Sequence, residues 1–220
     1  MKLRNLTRYS VQLKEQRTTL GNIKHSKDHS HDVQKVIMRS NQRLIKELDK
    51  QIVIIKSEIS KLIKSNPELK EKVSKLETIK GVGDITIATV LAETLGFQYV
   101  QNVKQLVSYA GYDVVQRESG SSIKEKTKIS KKGTRYIRNA LYFPAMVACR
   151  FNKEMKLNYL RIITKKPSKM VGQVAIQRKL LILMYSLWRK NESYDANYKK
   201  VASSEKPEAT LDKLIEINLP

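Results

Sequence analysis

The sequence predicts a mainly α protein, in which a long coiled-coil helix precedes a small helical domain carrying a helix-hairpin-helix and a short β-hairpin or loop insertion. Three observations lead to that class. Apolar residues recur at helical spacing along most of the 220-residue chain, the period of a helix with one buried face. From Met38 to Leu62 the stripe narrows to heptads. A Gly81-Val82-Gly83 turn then separates two further helical patterns, and glycine admits the positive φ and close backbone approach that a tight turn needs.

The first helix is marked by Leu3, Leu6, Val11, Leu13 and Leu20, carries Arg4, Arg8, Lys14 and Arg17 on its other faces, and should end near Gly21. His25 to Asp32 holds all three histidines. Without a fourth anchored ligand or an apolar frame it reads as a polar turn, with Ser30 or Asp32 capping the next helix, and no metal site is assigned. In the heptad helix Ile45, Ile52 and Ile59 occupy one seam position and Leu48, Ile55 and Leu62 the other, with Asn41 one heptad upstream. Isoleucine at a with leucine at d favours a parallel two-stranded coiled coil, so this stripe predicts a homodimer. An antiparallel helix within the chain's own bundle is the alternative. The helix stops at Ser65-Asn66-Pro67.

Val73, Leu76 and Ile79 precede the glycine turn and Ile87, Val90, Leu91 and Leu95 follow it, with Asp84 or Thr86 placed to cap the second helix. Val103, Leu106, Val107 and Ala110 form a short helix closed by Gly111. Val114 to Gln116 and Ile123 to Lys128 then read as two short strands flanking the hydroxyl-rich tip Ser119-Gly120-Ser121-Ser122. Ser130 or Thr134 opens a helix whose apolar set is Ile137, Leu141, Ala145, Met146 and Ala148. Helices over Met155 to Ile163 and Val174 to Trp188 close the core, joined by a basic turn at 165–169. The chain thus divides into an N-terminal helix and polar turn (1–31), a dimerisation helix (32–66), a helical domain with the hairpin (67–192) and a polar tail (193–220) with a weak amphipathic piece at Leu211 to Ile217.

With 43 Lys and Arg against 21 Asp and Glu, the formal net charge is +22 and the pI is near 10.0. A chain this basic attracts polyanions, so nucleic acid is the expected partner. No apolar run reaches the length of about 18 residues that spans a membrane. Met1-Lys2-Leu3-Arg4-Asn5 opens no apolar signal region, which predicts a cytoplasmic protein. Cys149, the one cysteine, lies on an apolar helical face and reads as a small buried hydrophobe. The densest basic stretch supplies the candidate DNA-binding residues Arg117, Lys124, Lys126, Lys128, Lys131, Lys132, Arg135 and Arg138, against two acids, Glu118 and Glu125. Gly81 and Gly83 join them, since a hairpin opening a helix presents free N–H groups to a phosphate and reads backbone rather than sequence.

The motifs Gly81-Val82-Gly83, Gln105-Leu106-Val107-Ser108-Tyr109-Ala110-Gly111, Arg117-Glu118-Ser119-Gly120-Ser121-Ser122, Ile129-Ser130-Lys131-Lys132-Gly133 and Arg138-Asn139-Ala140-Leu141-Tyr142 occur in this order. Together they resemble the C-terminal half of DEDD-type, bridge-RNA-guided insertion-sequence transposases, a family that includes Piv-like DNA invertases. The resemblance covers most of residues 1 to 190. It implies that Ser119 is a nucleophile joining covalently to a DNA phosphate. It also implies that four acidic residues of an N-terminal nuclease-like domain hold Mg²⁺, that protomers pair through the coiled coil into composite sites, and that a guide RNA is a partner. No Asp/Glu quartet precedes the heptad helix. The chain is therefore expected to carry no cofactor of its own and to be inactive without that acidic domain. Two function classes follow: the DNA-binding, serine-bearing part of a transposase or site-specific recombinase, or a non-catalytic nucleic-acid-binding module that pairs with full-length transposase.

Overall fold

Eight α-helices and four two-residue strands make up the described part of the chain in the computed structural model, which covers residues 1–28, 34–116, 118–119, 123–124, 127–165 and 168–195. Helix α1 (Lys2–Asp28) and helix α2 (Lys35–Lys64) form an antiparallel pair. Asn41 Nδ2 donates to the Leu20 carbonyl at 3.1 Å and Arg17 Nε lies 3.1 Å from Asp49. The expected stop at Gly21 does not occur; α1 runs on to Asp28. A single glycine costs a helix only about 1 kcal/mol, too little to end one by itself. The cap of α2 is Gln34, and the proposed caps Ser30 and Asp32, like His29 and His31, lie outside the described residues.

The heptad stripe is used within one chain. Ile52 and Ile59 are buried, Ile45, Leu48, Ile55 and Leu62 are half-buried, and the surface they meet is α1 and the helical core below it. Helix α1 lies alongside α2 and covers part of the stripe, the packing within the chain's own bundle that stood as the alternative to an interchain seam. The same apolar cluster takes in Ile59 and Ile63 of α2 together with Val73 and Leu180, with Leu3 and Leu6 packed against it, so one core crosses the boundaries drawn at 31 and 66.

Helix α3 (Pro67–Glu77) starts with proline at its first position, where no N–H is missed, and Asn66 accepts the Leu69 N–H at 3.1 Å. Helix α4 (Asp84–Thr94) is the centre of the molecule: Ile87 to Thr94 are all buried, among α1, α2, α3 and α6. Its C-cap Leu95 takes a left-handed conformation and is largely exposed rather than core. After α5 (Val103–Tyr109), strand β1 (Val114–Val115) pairs antiparallel with β4 (Lys128–Ile129), and β2 (Glu118–Ser119) with β3 (Ile123–Lys124), in nested register. Helix α6 (Arg135–Phe151) buries Ile137, Leu141, Ala145 and Ala148. Met146, expected among them, is 36% exposed. Asn152 caps α7 (Lys153–Ile163) by accepting from Met155 N–H, and α8 (Lys169–Lys190) packs on α6 and α7. The polar tail begins by binding back: Tyr194 N–H donates to Thr78 Oγ1 at 2.8 Å and Asn152 Nδ2 to the Tyr194 hydroxyl. The Leu211 to Ile217 piece lies outside the described residues.

Candidate nucleic-acid interface

The glycine turn between α3 and α4 is closed by Ile79 N–H to the Leu76 carbonyl and Val82 N–H to the Ile79 carbonyl. Gly81 has φ +91°, and a Cβ there would stand 2.5 Å from Val147 Cγ1. Its requirement is therefore conformation and packing against α6. Gly83 is the N-cap of α4 with ordinary extended angles and open space around it. The first turn of α4 already holds a carboxylate: Asp84 accepts the Ile85 N–H at 2.7 Å and the Ser60 hydroxyl at 2.9 Å. That negative charge offsets the positive end of the helix that a phosphate would otherwise meet.

The strand region is one hairpin. β1 and β4 form its base, β2 and β3 its outer end, and Ser119 pairs with Ile123 across it. The base is fixed by Ser130 N–H donating to the Asp113 carbonyl at 2.8 Å and by a hydrogen bond from the Ser130 hydroxyl to the Asp113 carboxylate. Ser130, considered as a helix cap, instead ties the two ends of the hairpin together.

Below that base the backbone makes a tight knot. Gly111 has φ +70°, and a Cβ on Gly133 would sit 2.1 Å from the Tyr109 carbonyl oxygen and 2.5 Å from Gly111 N. Thr134 N–H donates to Tyr109, and Lys131 N–H to Gly111. Arg138 Nη1 donates to the carbonyls of Ala110 at 2.7 Å and Gly133 at 3.1 Å, and Nη2 reaches Lys131 at 3.3 Å. Arg138, one of the DNA-binding residues expected from sequence, is thus engaged in holding the knot together through charge-assisted hydrogen bonds to its carbonyls.

Beneath the knot lies Glu93, the one buried carboxylate among the described residues, with no exposed surface. Arg8 binds it through Nε at 2.7 Å and Nη2 at 3.0 Å, Arg4 approaches at 3.4 Å, and Thr134 Oγ1 donates at 3.1 Å. Burial pushes the carboxyl pKa up, but the Arg8 hydrogen bond, the Arg8 and Arg4 charges and the Thr134 hydroxyl outweigh it, leaving Glu93 below the usual carboxylate range. The Glu93 hydrogen bond in turn holds Arg8 above its ordinary value. Arg8 also lies over the Tyr136 ring at 4.7 Å, with Arg135 at 5.4 Å from the same ring. These side chains, with Ser108, Tyr109, Lys132 and Gly133, line an open cleft of about 550 Å³.

Of the DNA-binding residues expected from sequence, Lys128, Lys131, Lys132 and Arg135 are exposed along the strip from β4 to the start of α6. Arg117 and Lys126 lie outside the described residues, as do Ser121 and Ser122. Lys124 and Ser119 are placed by backbone alone. Sequence reasoning missed Glu93, Tyr136 and the role of Arg4 and Arg8. The available signal was a lone glutamate inside an apolar helix and two arginines four apart on one face of α1. Cys149 is half-buried, and burial raises its thiol pKa to about 11. Among the described residues no three His, Cys, Asp or Glu side chains converge as a metal-holding group. No described helix is long and apolar enough to cross a membrane.

A basic helical domain with a protruding hairpin and a cation-lined cleft is the class this geometry defines. Residues 73–160, from α3 into α7, match the family model described as Transposase IS116/IS110/IS902 family. Two curated relatives, the pilin gene-inverting proteins of Moraxella bovis and Moraxella lacunata, are each 34% identical over 143 residues, covering 63% of this chain and 43% of theirs. The chain thus spans less than half the length of these relatives.

Proposed function

We propose that this chain is the DNA-binding, serine-bearing part of a DEDD-type transposase or site-specific DNA invertase, in which Ser119 attacks a DNA phosphate. The observation that carries the reading lies inside the matched segment: a hairpin with Ser119 at its outer end, rooted in a rigid knot and flanked by Lys128, Lys131, Lys132 and Arg135. In the proposed step the serine oxygen loses its proton and bonds to phosphorus as one strand P–O bond breaks, and the departing sugar oxygen takes up a proton and leaves as a free hydroxyl end, so one phosphodiester is exchanged for another. The lysines and arginine hold the backbone and offset the charge that develops on phosphorus oxygens. Gly81 and Gly83 are exposed on the α3–α4 turn, but the Asp84 carboxylate beside them makes that turn a weaker contact for DNA backbone than the basic strip. A serine also needs activation, and this reading assigns it to Mg²⁺ in a separate acidic domain. Guide RNA belongs to the same reading.

The test supplies that domain in trans. A full-length relative with its own serine replaced by alanine is mixed with the 220-residue chain, Mg²⁺ and end-labelled target DNA. A protein–DNA adduct of the short chain's mass is expected, and Ser119→Ala abolishes it while leaving salt-dependent binding nearly unchanged. An adduct that survives Ser119→Ala but is lost in Ser121→Ala or Ser122→Ala moves the nucleophile. No adduct in any mixture favours a non-catalytic binding module.

A further inference from the structure

The cleft between α1 and the start of α6 is built from two parts of the chain that the family match does not join. Lys132, Gly133, Arg135 and Tyr136 lie inside residues 73–160, whereas Arg8 comes from α1, outside it. Arg8 is not a loose surface cation: two of its nitrogens are fixed on Glu93 and its plane lies over Tyr136, yet 39% of its side chain stays exposed. Such fixation removes most of the rotamer entropy that a phosphate contact would otherwise cost. Arg135, 57% exposed, is held by one weak pair to Glu15 at 3.5 Å, and Lys132 is exposed beside it.

We propose that this cleft is a DNA backbone-anchoring site in which Arg8 of α1 joins Lys132 and Arg135 to hold a phosphate. The proposal rests on the DNA-binding reading above and extends it to the N-terminal helix. The site is an anchor and not the place of chemistry. Ser119 is not among the residues that line it. The held phosphate fixes where along the strand the hairpin tip can reach, and Glu93 acts as a positioning residue through Arg8.

The test titrates the complete 220-residue chain against a 30-base-pair DNA duplex over a range of salt. Ser108 is exposed at the cleft, so Ser108→Asp adds a charge there without touching Glu93. One like charge about 4 Å from a phosphate is worth about fivefold in affinity even in bulk water. Ser108→Asp is therefore expected to weaken binding at least fivefold. Ser26→Asp, exposed on α1 and about 27 Å further along the helix axis from Arg8, changes net charge equally and should cost less than twofold at physiological salt. Glu15→Gln frees Arg135 and should tighten binding. Arg8→Gln should lower the salt slope by about one phosphate contact. Should Arg8→Gln unfold the chain, the aspartate pair and Glu15→Gln decide. Equal losses in Ser108→Asp and Ser26→Asp, with wild-type binding salt-dependent, overturn the anchor and leave the DNA-binding reading standing. Absence of salt-dependent binding by the unaltered chain overturns both.

Discussion

Glu93 shows how much one residue can organise in a chain whose charge is otherwise spread over its surface. Its carboxylate is fully buried and accepts from Arg8, Arg4 and Thr134, so two segments distant from it in sequence, α1 and the start of α6, converge on it. Breaking a buried pair from one side costs about 3–5 kcal/mol. Arg8 is partly solvated and Arg4 remains, so Arg8→Ala is expected to cost about 2 kcal/mol in urea unfolding. The pH dependence follows from the sign of the shift. The folded carboxyl lies below its unfolded value, so its stabilisation is complete above the unfolded pKa and is lost as pH falls through the folded one. The melting temperature should therefore fall on acidification through and below the usual carboxylate range, and Glu93→Gln should flatten that part of the profile. Gly133 makes the opposite kind of demand, for absence of a side chain. A Cβ 2.1 Å from the Tyr109 oxygen forces the knot apart. Gly133→Ala should destabilise by at least about 2 kcal/mol, the range of strained backbone and overpacked sites, and a wild-type melting temperature for that variant would contradict the knot.

At the scale of elements, the contrast lies between α2 and α4. The α2 stripe has the heptad pattern of an interchain seam, but periodicity reports only that a stripe must be buried, not by what. Here α1 buries it, antiparallel and from the same chain. Ile59→Lys, placing a charge at a fully buried position, should then collapse the fold, seen as lost helical circular dichroism; Val53→Lys on the exposed side of α2, where Val53 is 64% exposed, should be nearly silent. Dissociation of a dimer into well-folded monomers by Ile59→Lys would restore the seam. Helix α4 is buried on all sides, so its lack of a polar face was readable in the sequence, while its glutamate was not readable as a charge anchor. Arg138 likewise carried the sequence marks of a DNA contact, and the carbonyls it meets are set by a loop closure between residues 110 and 133.

For the molecule as a whole, a net charge of +22 sets the long-range behaviour. If about six phosphates are neutralised, affinity for duplex DNA should fall about a thousandfold between about 50 and 200 mM salt. A flat response in a filter-binding titration would show that the charge serves another end. Among the described residues the succession of helices, the glycine turn, the hairpin and the basic strip were legible in the chain, because each depends on local conformation, hydrophobic period or composition. Tertiary structure alone decided that α2 pairs with α1, that Gly81 serves α6, that Arg138 serves a loop, and that Arg4 and Arg8 close over Glu93. Those outcomes turn on which surfaces meet across tens of residues, and a one-dimensional pattern states that a face must be covered or a charge paired without naming the partner.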